Sequence, residues 1–198
     1  MKILILLAHP SSDSFNHAIA AKVHETLLSM RHEVIFHDLY AENFDPLLGA
    51  NEIPKDGEYN DSIRQHCEEL QNAEGIVIVH PNWWGMPPAI MKGYIDRVFR
   101  PGIAYEFEEG DYGEGIPKGL LKAKTAIVFN TSDTNRDREE NIFLDPLETL
   151  WKNCIFYLCG IKVFHRKMFR IMVTSTIEER ENWLHEVENT VRKYFEKT

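Results

Sequence analysis

The chain has 198 residues, a length that one hydrophobic core can serve, so a single domain spanning 1–198 is expected. Hydrophobic residues make up 43% and charged residues 27%, a balance that argues against wholesale disorder and against a membrane span. The 22 Lys and Arg against 31 Asp and Glu leave a net charge of −9, which repels a phosphate backbone and makes nucleic acid a poor partner.

The chain opens Met1-Lys2-Ile3-Leu4-Ile5-Leu6-Leu7-Ala8, but its apolar run is short and meets His9-Pro10 where a secretory signal would carry small residues. Residues 2 to 8 therefore read as a strand buried on both faces of a parallel sheet, with its carboxyl end a candidate ligand position. A helix is expected from about Ser14, where Ala18, Ala21, Val23, Leu27 and Leu28 supply apolar positions. Glu33 to Leu39 reads as a second strand. Its surroundings, His32-Glu33-Val34-Ile35-Phe36-His37, mimic a zinc-protease motif, but the histidines are five apart on a β-favouring run, so no metal is expected.

Residues 43 to 60 are rich in Pro, Gly and Asp and read as a long surface loop. A helix over 61–73 leads to the aliphatic strand Gly75 to Val79, and Pro87 to Arg100 reads as a helix stopped by Pro101-Gly102. Residues 102 to 119, with five glycines, read as an excursion whose aromatics Tyr105, Phe107 and Tyr112 would rim a substrate site or anchor the loop. A strand over 123–130, a helix over 141–158, a strand over 161–164 and a helix over 178–194 complete the chain. The alternation predicts an α/β fold: a doubly wound, five-stranded parallel sheet with helices on both faces. Cys67, Cys154 and Cys159 lack Cys-x-x-Cys spacing, so free thiols and a cytoplasmic location are expected.

In such a sheet, ligands bind at the carboxyl ends of strands beside a switch point, which selects loops 9–16, 81–85 and 130–133. The first offers His9, Ser11, Ser14, Phe15 and Asn16 at a helix amino-terminus, a setting that suits an anion and equally suits plain helix capping. The second, Pro81-Asn82-Trp83-Trp84-Gly85, offers flat aromatic faces for a heteroaromatic ring or a substrate. Neither Gly-x-Gly-x-x-Gly nor a phosphate loop ending in Gly-Lys-Ser or Gly-Lys-Thr follows the first strand, which argues against Rossmann-type or nucleoside-triphosphate binding. An anion loop beside an aromatic loop suits one phosphate-tailed aromatic ligand, of which a flavin nucleotide is an example.

The segments Ala8-His9-Pro10, Ser14-Phe15-Asn16, Ala104-Tyr105 and Cys159-Gly160 frame a longer motif. That motif is Pro81-Asn82-Trp83-Trp84-Gly85-Met86-Pro87-Pro88-Ala89-Ile90-Met91-Lys92-Gly93-Tyr94-Ile95-Asp96-Arg97-Val98-Phe99. With them the chain, from Met1 to about residue 165, resembles the NAD(P)H:quinone oxidoreductases of DT-diaphorase type. Their bacterial relatives include drug-activity modulators and ancillary proteins of potassium-efflux systems. The resemblance implies a flavodoxin-like fold, bound FAD or FMN, NADH or NADPH as electron donor and a quinone or similar small acceptor reduced by a ping-pong route. It also implies a homodimer in which the partner completes each site. By the same resemblance His9, Phe15 and Asn16 hold the flavin phosphate region, and Pro81, Asn82, Trp83, Trp84 and Gly85 line the isoalloxazine.

Two departures from the family pattern are visible. Asn130-Thr131-Ser132-Asp133 stands where many members carry Thr-Thr-Gly-Gly against the ring, and Asn141 stands where mammalian members place a histidine. No side chain is therefore expected to act as an essential acid. The alternative function is an ancillary subunit acting through a protein partner. A phospho-receiver is disfavoured because His9-Pro10 replaces the clustered carboxylates it needs, and no cysteine begins a phosphatase loop.

Overall fold

Each aliphatic run expected to be a strand takes its place in one parallel sheet of the computed structural model, which describes residues 1–108, 110, 111 and 113–196. In chain order the first elements are β1 (Lys2–Leu7), α1 (Phe15–Ser29), β2 (Glu33–Asp38), α2 (Asp61–Asn72), β3 (Gly75–Pro81) and α3 (Ala89–Val98). A short hairpin of β4 (Tyr105–Glu106) and β5 (Lys118–Gly119) precedes β6 (Thr125–Ser132). Then come a π-helical segment Arg138–Ile142, α4 (Pro146–Glu148) continuing as a π-helix over Thr149–Tyr157, β7 (Val163–Arg170) and α5 (Ile177–Phe195). Among the described residues no helix is long and apolar enough to cross a membrane.

The five long strands lie in the order β2-β1-β3-β6-β7, all parallel. Alternation along β1 sends Leu4 and Leu6 to one face and Ile3, Ile5 and Leu7 to the other, and all five are fully buried. On the first face α2, α3 and the helix carrying Trp151 pack through Leu70, Tyr94, Trp151 and Phe156. On the second face α1 and α5 pack through Val23, Leu27, Val187 and Val191. The chain moves outward from β1 to β2, then crosses back to the other side of β1 for β3, so the loops after β1 and β3 leave in opposite directions and part at the sheet's carboxyl edge.

Three sequence expectations are corrected. The single helix expected over 141–158 is broken, because Leu144 and Asp145 adopt left-handed backbone with φ of 60° and 45°. The helix restarts at Pro146, with the Asp145 side chain accepting from the Glu148 N–H. The last strand is not confined to 161–164: it runs Val163–Arg170, pairing residue by residue with β6. Its charged stretch hid it, yet Arg166 reaches Asp145 and Glu148, and Lys167 reaches Glu186, so an edge strand carries these charges in ion pairs. The helix after the tryptophan loop begins at Ala89, beyond both prolines, with Pro88 as its extended cap.

The loop at 43–60 is tied down by a two-pronged ion pair, Arg97 Nε and Nη2 donating to Glu52 Oε2 and Oε1 at 3.0 and 2.6 Å. Beside it Gly93 meets Pro46 so closely that an added Cβ would stand 2.3 Å from the Pro46 carbonyl oxygen. Gly93→Ala is therefore expected to destabilise the fold by about 1–3 kcal/mol, as overpacking does. Urea titration checks this through a lower midpoint at unchanged slope; an unchanged midpoint would mean that the loop yields without cost.

Candidate functional site

The three loops chosen from the sequence meet at the carboxyl edge. His9, Ser14, Phe15 and Asn16 from the first, Pro81, Asn82 and Trp83 from the second, and Thr131, Ser132 and Asp133 from the third line one cavity of about 300 Å³. Thr134 and Met172 complete the lining, and neither was singled out in the sequence.

The first wall is the start of α1. Ser14 caps the helix, its hydroxyl accepting from the His17 N–H, and the first-turn N–H groups have no intrahelical acceptor, so positive partial charge gathers where Phe15 and Asn16 line the cavity. The serine is held from behind: Ser14 Oγ lies 3.0 Å from His17 Nδ1, and His17 Nε2 lies 2.9 Å from Asp38 Oδ2 at the end of β2. His17 and Asp38 were missed, although the spacing Ser14-x-x-His17 is that of a residue and its helix-capping neighbour. Ser11 is exposed and lies outside the cavity lining; its N–H donates to His9 Nδ1 at 3.1 Å and so orients the ring. Burial pushes the His9 pKa down.

The second wall is a tight turn. Trp83 and Met86 exchange N–H and carbonyl bonds of 3.0 Å, while Trp84 and Gly85 occupy left-handed backbone with φ of 59° and 73°. This is the geometry of a type I′ turn, and it drives Trp84 to the tip, 98% exposed. Glycine suits the last place in Pro81–Gly85 for a second reason, since a Cβ there would stand 2.8 Å from Pro146 Cγ. Trp84 and Gly85 line not the cavity itself but two adjoining clefts of about 520 Å³ each, one shared with Asn82, Thr134, Arg138, Phe143 and Pro146.

The third wall corrects one expectation. β6 runs two residues further than expected, so Asn130 lies inside the strand and is fully buried rather than facing the cavity. Its Nδ2 donates to His80 Nε2 at 2.9 Å, and Trp151 Nε1 donates to the same nitrogen at 2.9 Å. With two donors on Nε2, His80 keeps its proton on Nδ1, facing the Pro81 carbonyl at 2.8 Å; burial lowers its pKa to about 4. This is a satisfied core network that supports the site from beneath. Thr131 Oγ1, by contrast, accepts from Asn16 Nδ2 at 2.9 Å and locks the first wall to the third.

Tyr105 and Phe107, expected either to rim a substrate site or to anchor their loop, do not line the cavity. Leu120 N–H bonds the Ala104 carbonyl and Leu121 N–H bonds the Cys159 carbonyl, which fastens their hairpin beside the amino ends of β6 and β7. There the two rings pack edge to face with centroids 5.9 Å apart. Tyr112 falls outside the described residues.

A buried carboxyl group also escaped the sequence reading. Glu139 is wholly buried, accepts from Asn82 Nδ2 at 3.0 Å, and is pushed toward the neutral form first by burial and then by Asp145. Its partner Asn82 has a buried Oδ1 without a hydrogen-bond partner among the described residues, and so has Asn16. Buried amide oxygens are seldom left unpaired in native proteins. Both belong to residues of the cavity wall, so a polar ligand carrying donors suits the site.

A family model described as flavodoxin-like fold matches residues 1–195. A Haemophilus influenzae protein described as an uncharacterized NAD(P)H oxidoreductase is 36% identical over 173 residues, covering 85% of this chain and 83% of its own. NAD(P)H dehydrogenase (quinone) 1 of Rattus norvegicus is 34% identical over 194 residues, covering 84% of this chain and 68% of its own. The crystal structure of Smu.1420 from Streptococcus mutans UA159 superposes with a TM-score of 0.83 at 31% identity, covering 98% of this chain and 100% of that one. The chain thus belongs to the flavodoxin-like family, among relatives named as NAD(P)H oxidoreductases and quinone dehydrogenases.

Proposed function

We propose that the chain is a flavin-dependent NAD(P)H oxidoreductase that passes electrons to a quinone or a similar small acceptor. The observation that carries this reading is the union, in one cavity, of an anion-favouring helix start with a wall of aromatic rings and unpaired buried amides. The names of the relatives support it.

In this reading His9, Ser14, Phe15 and Asn16 hold the phosphate of FMN or FAD, and Pro81, Asn82 and Trp83 hold the ring. Thr131, Ser132 and Asp133 close its far side, with Trp84 and Gly85 flanking the approach from the adjoining clefts. A bound flavin supplies the hydride chemistry, accepting from NADH or NADPH and giving to the acceptor. The protein's part is to orient. Asn82 is fixed by Glu139, and Asn16 is fixed by Thr131. A nucleotide ring entering beside Trp84 lies flat, and its departure leaves the same face for the acceptor, which is the basis of a ping-pong cycle. Asn141 holds Asp137 at 2.8 Å rather than serving as an acid. The free cysteines, with Cys67 and Cys159 buried, suit a reducing, cytoplasmic setting.

The test is anaerobic rapid mixing of FMN- or FAD-loaded protein, first with NADH or NADPH and then with benzoquinone. The visible flavin band is expected to bleach in the first step and return in the second, with parallel double-reciprocal plots at steady state. A chain that takes up neither flavin contradicts the site. One that binds flavin but is bleached by neither nucleotide falls to the ancillary-subunit alternative, which no specific feature among the described residues favours.

A two-fold homodimer belongs to the same proposal. Trp84, Met86 and the apolar cleft past Pro87 to Leu150 form an exposed hydrophobic surface beside the cavity that a second copy of the chain would cover. Tyr105 and Phe107 can then reach a flavin site only on the partner. Light scattering is expected to give twice the chain mass across a range of concentrations; a monomer with full activity would remove both statements.

A further inference from the structure

Away from the cavity, the end of β2, the turn after it and the middle of α2 bring together four chemistry-bearing side chains that the oxidoreductase reading does not use. His37, at the end of β2, has a carboxylate at each ring nitrogen. Nδ1 stands 2.9 and 3.1 Å from the two oxygens of Glu42, and Nε2 stands 2.6 Å from Glu69 Oε2. His66, one turn before Glu69 on α2, lies with its ring 4.3 Å from that of His37. One ligand atom each from His37, Glu42 and His66 falls within 4.8 Å of the others.

His66 is 94% buried by its 6% exposure, and its Nδ1 has no hydrogen-bond partner among the described residues. Phe44 and Tyr94 pack edge-on to its ring at 5.4 Å, and the Tyr94 hydroxyl is buried without a partner as well. A buried imidazole beside a second imidazole and a carboxylate is costly unless something satisfies it. We propose that His37, His66 and Glu42 bind one divalent ion of the zinc class, with Glu69 holding His37 from behind.

The donor set suits that ion once its ligand atoms, which lie within 4.8 Å of one another, draw in around it. Around a tetrahedral zinc with bonds of about 2.0–2.2 Å, ligand atoms stand roughly 3.3–3.6 Å apart. The His37–Glu42 separations fall a few tenths of an ångström short of this, and Glu42, 38% exposed at its side chain, has room to adjust. Two imidazoles and one carboxylate match the borderline preference of zinc, and they leave a fourth place for water. Glu69 on the far nitrogen of His37 is the carboxylate that commonly orients a metal-bound histidine. The sequence pointed away from this site because its ligands come from a strand, a turn and a helix; His32 of the apparent motif bonds Phe195 instead. An ion there pins the turn after β2 to α2.

The full-length chain, stripped with chelator, is titrated with Zn²⁺ alone by calorimetry and with Co²⁺ by absorbance. One equivalent is expected to bind, and His66→Gln and Glu42→Gln each to lower the affinity by more than about tenfold, while Glu69→Gln lowers it roughly 10–100-fold. Zn²⁺ is expected to raise the unfolding temperature of the wild type and of the exposed-site control His185→Gln, but not of Glu42→Gln. Flavin titration should be the same in all variants, which separates this site from the cavity. No saturable binding, or affinity unchanged in both Glu42→Gln and His66→Gln, would overturn the proposal and leave a plain ion-pair cluster. Glu42→Gln, partly exposed, keeps the test decisive should His66→Gln fail to fold.

Discussion

The burial of β1 between β2 and β3 is the constraint on which the rest of the molecule depends. Its five residues from Ile3 to Leu7 are wholly shielded and alternate between two cores, so both sheet faces must be covered by helices. Parallel neighbours on either side require crossovers that leave in opposite directions, and the loops after β1 and β3 are thereby parted. The cavity is the space between them. Its position thus follows from the same aliphatic run that makes the core.

What turns that space into a specific site is polar support behind its walls. The helix start is held through Ser14, His17 and Asp38, and the tryptophan turn is held through Asn82 to Glu139. Beneath both lies the buried network of His80, Asn130 and Trp151. Hydrogen bonds in such surroundings are strong, and unpaired groups are costly, so the network fixes few arrangements. The exposed Trp84 is the exception. It stands on a strained two-residue turn with no core duty, whereas Trp151 is sealed in the interior.

Strand identity was legible wherever burial was complete, as in Ile3 to Leu7 and Ile76 to Val79, because both-face burial demands unbroken aliphatic sequence. It was illegible in β7, whose Arg166 and Lys167 reach partners distant in sequence and so escape any local pattern. The break at Leu144 and Asp145 was half visible: Asp145-Pro146 is a recognisable helix start, but positive φ at two non-glycine residues leaves no trace in composition. Of the site, loop positions were legible from topology, while side-chain direction was not. Asn130 turned inward because β6 extended two residues past the expected end, and Glu139 drew no notice because nothing local marks a buried carboxyl. The His37, Glu42 and His66 cluster is the extreme case, assembled only by the fold.

The central claim is one of place: a flavin sits where the three strand-end loops meet. Hydrogen–deuterium exchange of the full chain with and without FMN tests it most directly, since amides that contact or close over a ligand exchange more slowly. The account predicts slowed exchange at residues 11–17, 82–86 and 131–134, with the turn at Glu42 unchanged. Slowed exchange confined to other segments, or none at saturating FMN, would contradict it.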